Sequence, residues 1–176
     1  MRDHAALEIR RLREQLEQVN RRVAMMNLPG KVAEVDAEKR LLRLKLGKTR
    51  DGRDILGPWS RWQEGGAGGL KIHSQPVVGE QMLLSSASGT VGAASMAMPA
   101  TYDQDHEAPS KSEDTAVFTR GNGRIEVGPD GILLKGPVTV DGNFQAKNGS
   151  FRHNAKNVGD THGHVSAPPG GPGPPV

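Results

Sequence analysis

The apolar positions at the start of the chain, Ala5, Ile9, Leu12, Leu16, Val19, Val23 and Met26, are spaced alternately by four and three residues. This is a heptad, and it predicts a helix whose narrow seam is best buried against copies of itself, with Arg and Glu at the flanking positions. Three heptads are marginal on their own, so the helix is expected to assist oligomerisation rather than drive it. The competing reading is one amphipathic helix lying on its own domain.

Leu28-Pro29-Gly30 is expected to end this helix, because proline cannot continue it and glycine punctuates the turn. The pattern then changes to period two. Leu42, Leu44 and Leu46 alternate with Arg43 and Lys45, as in a half-buried strand. Residues 31–36 and 40–46 read as a strand pair, 55–62 as a further strand, and 77–84 with 90–98 as a hairpin about Ser88-Gly89. Some 70 residues of short, glycine-punctuated strands without a helical period have the size and pattern of a small β-barrel, most commonly an OB-fold.

Residues 99–114 are polar and read as a connector. After them the apolar residues Ile125 and Val127, Ile132 and Leu134, Val138 and Val140, then Phe144 recur every six or seven positions between turns such as Gly128-Pro129-Asp130-Gly131. Strands this short bury too little within one chain to offset their ordering entropy. Three chains wound together solve the problem: in an intertwined triple-stranded β-helix these residues fill a thin prism and no free edge remains. A meander within one chain is the alternative.

Composition sharpens this picture. Aromatic residues make up 3% of the 176 positions, too few for a rich monomeric core, while Gly 23 and Pro 12 fit a loop-rich, mostly β chain. There is no cysteine, so any metal must be held by imidazole or oxygen. Met1 to Asn20 is charged throughout and lacks the apolar core of a signal peptide, and no later stretch is apolar enough to cross a bilayer. The expectation is a protein made in the cytoplasm. The net charge of +3 is mild; residues 31–50 hold seven Lys or Arg against three acidic residues, which fits a solvated strand face better than a nucleic-acid surface.

His162 and His164 in Thr161-His162-Gly163-His164 are two apart, so in extended backbone both imidazoles project from one face. One chain offers a weak site of two ligands. Around a threefold axis the pair becomes six nitrogens, a closed octahedral set that argues against zinc; ferrous iron is favoured over nickel on availability. Thr161 and the backbone would orient the rings. With no open coordination position, such a centre is structural, not catalytic. Other chemistry is sparse. His4, His73, His106 and His153 lack ligand partners at suitable spacing, and Asp103, Asp105, His106 and Glu107 read as a solvated loop. The glycine runs at 65–69 and 121–123 lack the context of a phosphate loop, and no Ser or Thr sits in a nucleophile elbow. The terminal run 166–176, rich in Pro and Gly, reads as a flexible tail or a compact cap.

Three features in this order resemble baseplate assembly protein V, the central spike of myophages and phage-tail-like bacteriocins. They are the barrel-like stretch with Leu56-Gly57-Pro58-Trp59 and the run from Pro76 to Ser85, the punctuated β segment, and the Thr-His-Gly-His ending. The resemblance implies a homotrimer with an OB-fold collar, a triple-stranded β-helix and an apex where His162 and His164 of each subunit bind one iron per trimer. It implies a non-enzymatic spike at the virion's tail baseplate tip, partnered by hub and tail-tube proteins and driven through the host outer membrane when the sheath contracts. Relatives also bind calcium or chloride, which no position here can be assigned. The short β segment and proline-heavy tail depart from the family pattern.

The expected organisation is therefore mainly β: helix 1–28, OB-fold 29–100, connector 101–114, triple β-helix 115–155 and metal-pinned apex 156–176. The rival function is a nucleic-acid-binding OB protein with a disordered C-terminal tail. It lacks the aromatics that stack bases, since Trp59, Trp62 and Tyr102 are nearly all there is, and nucleic acid is not an expected partner. A second rival is a metalloenzyme using His162 and His164 with Asp160.

Overall fold

The computed structural model describes residues 2–159, which divide into two compact units between Glu113 and Asp114. His162, His164 and the rest of residues 160–176 of the expected apex lie outside the described residues.

The first unit opens with α1 (Arg2–Ala24). The heptad stretch produces this helix, and Arg21 and Arg22 sit in its last turn, where positive charge favours the C-terminal end of the helix dipole. The helix stops earlier than proline alone would stop it. Strand β1 (Asn27–Asp36) already begins at Asn27, so Met26 falls past the helix end, and Leu28, Pro29 and Gly30 lie inside the strand. Pro29 is tolerated because β1 pairs there on one side only, with Leu83 of β7 (Gln81–Ser85); pairing with β2 (Leu41–Lys48) starts at Lys31. Gly30 is required by crowding: a Cβ there would stand 2.8 Å from the carbonyl oxygen of Lys45.

The remaining strands of the large sheet are β3 (Asp54–Leu56), β4 (Arg61–Trp62) and β8 (Met96–Pro99). Their order is β3-β2-β1-β7-β8-β4. The sheet curls until its ends meet, because Leu42 N–H donates to the Ser60 carbonyl and Ser60 N–H to the Leu42 carbonyl, both at 2.9 Å. Inside sit Val32, Leu42, Leu44, Trp62, Met82, Leu84 and Ala97, all buried. Leu42 with Leu44 and Met82 with Leu84 are the inward members of period-two pairs, the alternation visible in the sequence.

The loop joining β7 to β8 is longer than a tight turn at Ser88-Gly89. Residues 86–95 fold back on themselves, with the Ser86 and Ser95 hydroxyls hydrogen-bonded at 2.6 Å in a buried position. This loop also seats the helix. Ser86 N–H donates to the Met26 carbonyl at 2.7 Å, and Gly89, with φ of 69°, passes so close to Arg22 that a Cβ would lie 2.5 Å from its carbonyl oxygen. A small hairpin, β5 (Gly66–Ala67) with β6 (Lys71–Ile72), stands outside the barrel.

In the second unit, β9 (Ala116–Arg120), β10 (Gly123–Gly128) and β11 (Gly131–Lys135) form an antiparallel meander joined by the two-residue turns Gly121-Asn122 and Pro129-Asp130. Within one chain these strands pair consecutively with one another, the arrangement of the alternative reading, and no triple-stranded β-helix over 115–155 is shown among the described residues. Two-residue turns make that local pairing cheap in loop-closure entropy. Residues 136–150 hold no strand, so Val138, Val140 and Phe144 lie on irregular backbone. A last hairpin pairs β12 (Arg152–His153) with β13 (Lys156–Asn157), and the Phe144 and Phe151 rings lie 5.7 Å apart.

Candidate functional site: uncovered apolar faces

Cross-strand partners share a face of a sheet, so the register of the meander fixes what each face carries. Ile125 pairs with Phe118 and with Leu134, and Val127 pairs with Ala116 and with Ile132. One face is thus entirely apolar at these six positions. The other carries Val117, Thr119, Arg124, Glu126, Leu133 and Lys135, with Arg124 Nη2 and Glu126 Oε2 in contact at 2.6 Å. This face is left largely exposed, with Pro137, Val138 and Thr139 lining a shallow pocket beside Phe118, Ile125 and Leu134. Exposure of its large side chains runs from 42% at Val127 to 71% at Ile132. The structure brings together Ile125, Val127, Ile132 and Leu134 of the expected trimer core and adds Ala116 and Phe118. Val138, Val140 and Phe144 are also exposed, but off the sheet.

A second uncovered apolar surface runs along α1. Ile9, Leu12, Leu16, Val19 and Val23 all lie on the helix and all are more than half exposed; Met26 is exposed beyond its end. The helix does not lie down on its own barrel.

The barrel surface is, by contrast, knitted by charge. Glu64 Oε1 accepts from Arg40 Nη2 at 2.6 Å, His73 Nδ1 at 2.8 Å and Trp62 Nε1 at 3.0 Å, while Oε2 accepts from Ser74 N–H. The His73 hydrogen bond, reinforced by Arg40 and Ser74, holds the Glu64 carboxyl at about 2 despite the partial burial that opposes ionisation. This carboxylate ties both ends of the β5–β6 hairpin to the barrel. A similar clasp fastens the chain after β8. Lys31 Nζ contacts Asp103 Oδ2 at 2.8 Å and Asp105 Oδ2 at 2.6 Å, and Asp103 Oδ1 accepts from the N–H groups of Asp105 and His106. The Lys31 contact comes first in keeping the Asp103 carboxyl at about 2. Residues 103–106 are therefore not the freely solvated loop that their polarity suggests. Neither clasp was legible in sequence, because each joins residues whose proximity only the closed barrel creates.

The lysines and arginines of 31–53 are largely spoken for as well. Lys39 meets Asp36, Lys45 meets Asp54 and Arg53 meets Asp51, each within 3.0 Å, and the Arg43 guanidinium lies 5.7 Å from the Trp59 ring centroid. Among the described residues, no group of three or more His, Asp or Glu is arranged to hold a metal, and no helix is long and apolar enough to cross a membrane.

A closed barrel with an inward period-two core defines an OB-type module. Residues 28–102 match the family described as the Type VI secretion system/phage-baseplate injector OB domain. The match over this domain points to a structural, non-enzymatic role in a phage-tail baseplate, assembled with other tail proteins. No curated protein matches the chain.

Proposed function

We propose that this protein is the central spike of a contractile phage tail or phage-tail-like bacteriocin: a homotrimer that is pushed through the host outer membrane when the sheath contracts. The observation that carries this reading is the six-residue apolar face of the meander, which follows a stretch matching the injector OB domain and is left largely exposed. Fully burying a Val, Ile, Leu or Phe side chain is worth roughly 1.5–3 kcal/mol, so leaving several in water on one face is a strong drive to associate. Around a threefold axis, three such faces turn inward and make the closed prism of a β-helix, with Val138, Val140 and Phe144 continuing it as their backbone finds partners in neighbouring chains. The OB domains form the collar that docks to hub and tube proteins.

At the leading end, His162 and His164 of the three chains hold one iron ion. Bound there, the metal ties three C-termini together and keeps the tip from fraying under load. The spike works mechanically and turns over no substrate.

Mass and metal content of the purified protein test this directly. The expected result is a trimer with one iron per three chains; a monomer, or one metal per chain, would overturn the reading. Replacing both histidines with alanine is expected to abolish iron binding and leave the trimer intact.

A further inference from the structure

Written as a heptad, α1 places Ile9, Leu16 and Val23 at position a and Ala5, Leu12 and Val19 at position d. The flanking positions follow from this frame. Glu8, Gln15 and Arg22 occupy g, and Ala6, Arg13 and Asn20 occupy e. All six are solvent-exposed, and none of the ion pairs among the described residues involves a residue of α1. The rest of the protein behaves differently, since most charged residues of the first barrel strands have found an opposite charge nearby.

These unused charges specify a partner. In a parallel, in-register bundle, each g residue faces the e residue five positions further on in the neighbouring helix. Glu8 then meets Arg13 of the next copy, and Gln15 meets Asn20, an amide pair able to hydrogen-bond. No like charges face each other. In an antiparallel bundle g faces g and e faces e. Matching the a and d layers then sets Arg13 against Arg13 of the other copy at the middle of the interface, and only Glu8 against Arg22 offsets this. The charge pattern therefore discriminates between directions that the apolar layers alone do not.

We propose that the exposed face of α1 docks onto second and third copies of this chain as a parallel, in-register coiled coil, with the Glu8–Arg13 contact between chains setting direction and register. The inference rests on the trimeric reading and adds to it a second seam between the chains, along α1, with its own charged contact. Parallel helices put all three barrels at the same end of the bundle. The seat of Arg22 against Gly89 then carries that common direction from helix into barrel.

The chain has no native cysteine, so single cysteines in the full-length protein report their own neighbours only. Ile9→Cys is expected to form interchain disulfides under mild oxidation, because parallel helices set each Ile9 beside its own copy. Glu8→Arg is expected to lower the melting temperature of the helical signal by several degrees, and adding Arg13→Glu to restore most of it. An antiparallel bundle gives opposite results. Ile9→Cys then cross-links only when mixed with Val19→Cys, and the double charge swap fails to rescue because the arginine introduced by Glu8→Arg would face Arg22 of the other copy. Either of these would overturn the proposal. A trimer by native mass in which Ile9→Cys does not cross-link would also overturn it while leaving the spike reading standing. A monomeric wild type removes both.

Discussion

The barrel and the meander that follows it are written in the same period-two pattern, yet one buries its apolar residues and the other displays them. In the barrel, Leu42, Leu44, Met82 and Leu84 alternate with polar positions, and the sheet curls until their side chains meet. In the meander, Ile125, Val127, Ile132 and Leu134 alternate equally well, but three strands of five or six residues cannot curl far enough to cover their own face. Alternation thus tells which side of a strand seeks cover, and strand count decides whether the chain can provide it. The first unit covers its own apolar face, and the second leaves one exposed.

The largest effect should come from making the meander face polar. Phe118→Asp with Ile125→Asp is expected to leave the protein monomeric by native mass, where the proposed function has the wild type trimeric, while the barrel keeps its melting transition. A trimer that survives would show that this face is not the seam. The next largest belongs to the barrel itself. Leu84→Ala is expected to cost about 2–5 kcal/mol in urea unfolding of the barrel. That loss should not depend on protein concentration, and a concentration-dependent loss would erase the contrast between the two regions.

A smaller effect is expected at Glu64, whose carboxyl has a folded value of about 2 against an ordinary 4.5. A depressed acid stabilises the fold above its unfolded value, and that contribution disappears as pH falls from about 4.5 towards 2. Glu64→Gln should therefore flatten the decline in urea midpoint across this window. At neutral pH it should speed tryptic cleavage after Lys71, since the β5–β6 hairpin loses its tie. Cleavage at the wild-type rate would mean that the hairpin is held by other contacts. The smallest effect is expected for the exposed Lys45–Asp54 pair, where Lys45→Ala should cost at most about 1 kcal/mol. A greater loss would show that the surface charges carry more of the barrel than its core does.

Much of this architecture was legible in sequence wherever a single period persisted. The heptad marks α1, and the Leu42-Leu44-Leu46 alternation marks β2. Misplacements arise where a local signal meets a tertiary one. Pro29 reads as a helix stop, but strand pairing with Leu83 has already claimed the chain at Asn27. Thr90 to Ser95 reads as strand, but the buried hydroxyl pair of Ser86 and Ser95 folds those residues into a loop. Phe118 does not stand out as a core residue because its strand precedes the first glycine turn of the repeat. The meander's pairing is hidden too, since short strands show their need for partners but not which chain supplies them. The carboxylate clasps at Glu64 and Asp103 leave no sequence signal, because their partners are brought together only by the closed barrel.

The closure of the barrel at Leu42 and Ser60 has a mechanical consequence. Most of its strands are joined by ladders, but here the ring is completed by the Leu42–Ser60 pair with its two hydrogen bonds and by Gly57 N–H donating to the Leu44 carbonyl at 2.7 Å. Hoop strength in a loaded ring is set by its narrowest seams, so an outward load is expected to part the barrel near Ser60 before its longer ladders yield. A collar gripped from outside by neighbouring proteins would have that seam held shut by the grip itself, and would be sturdier in place than in solution.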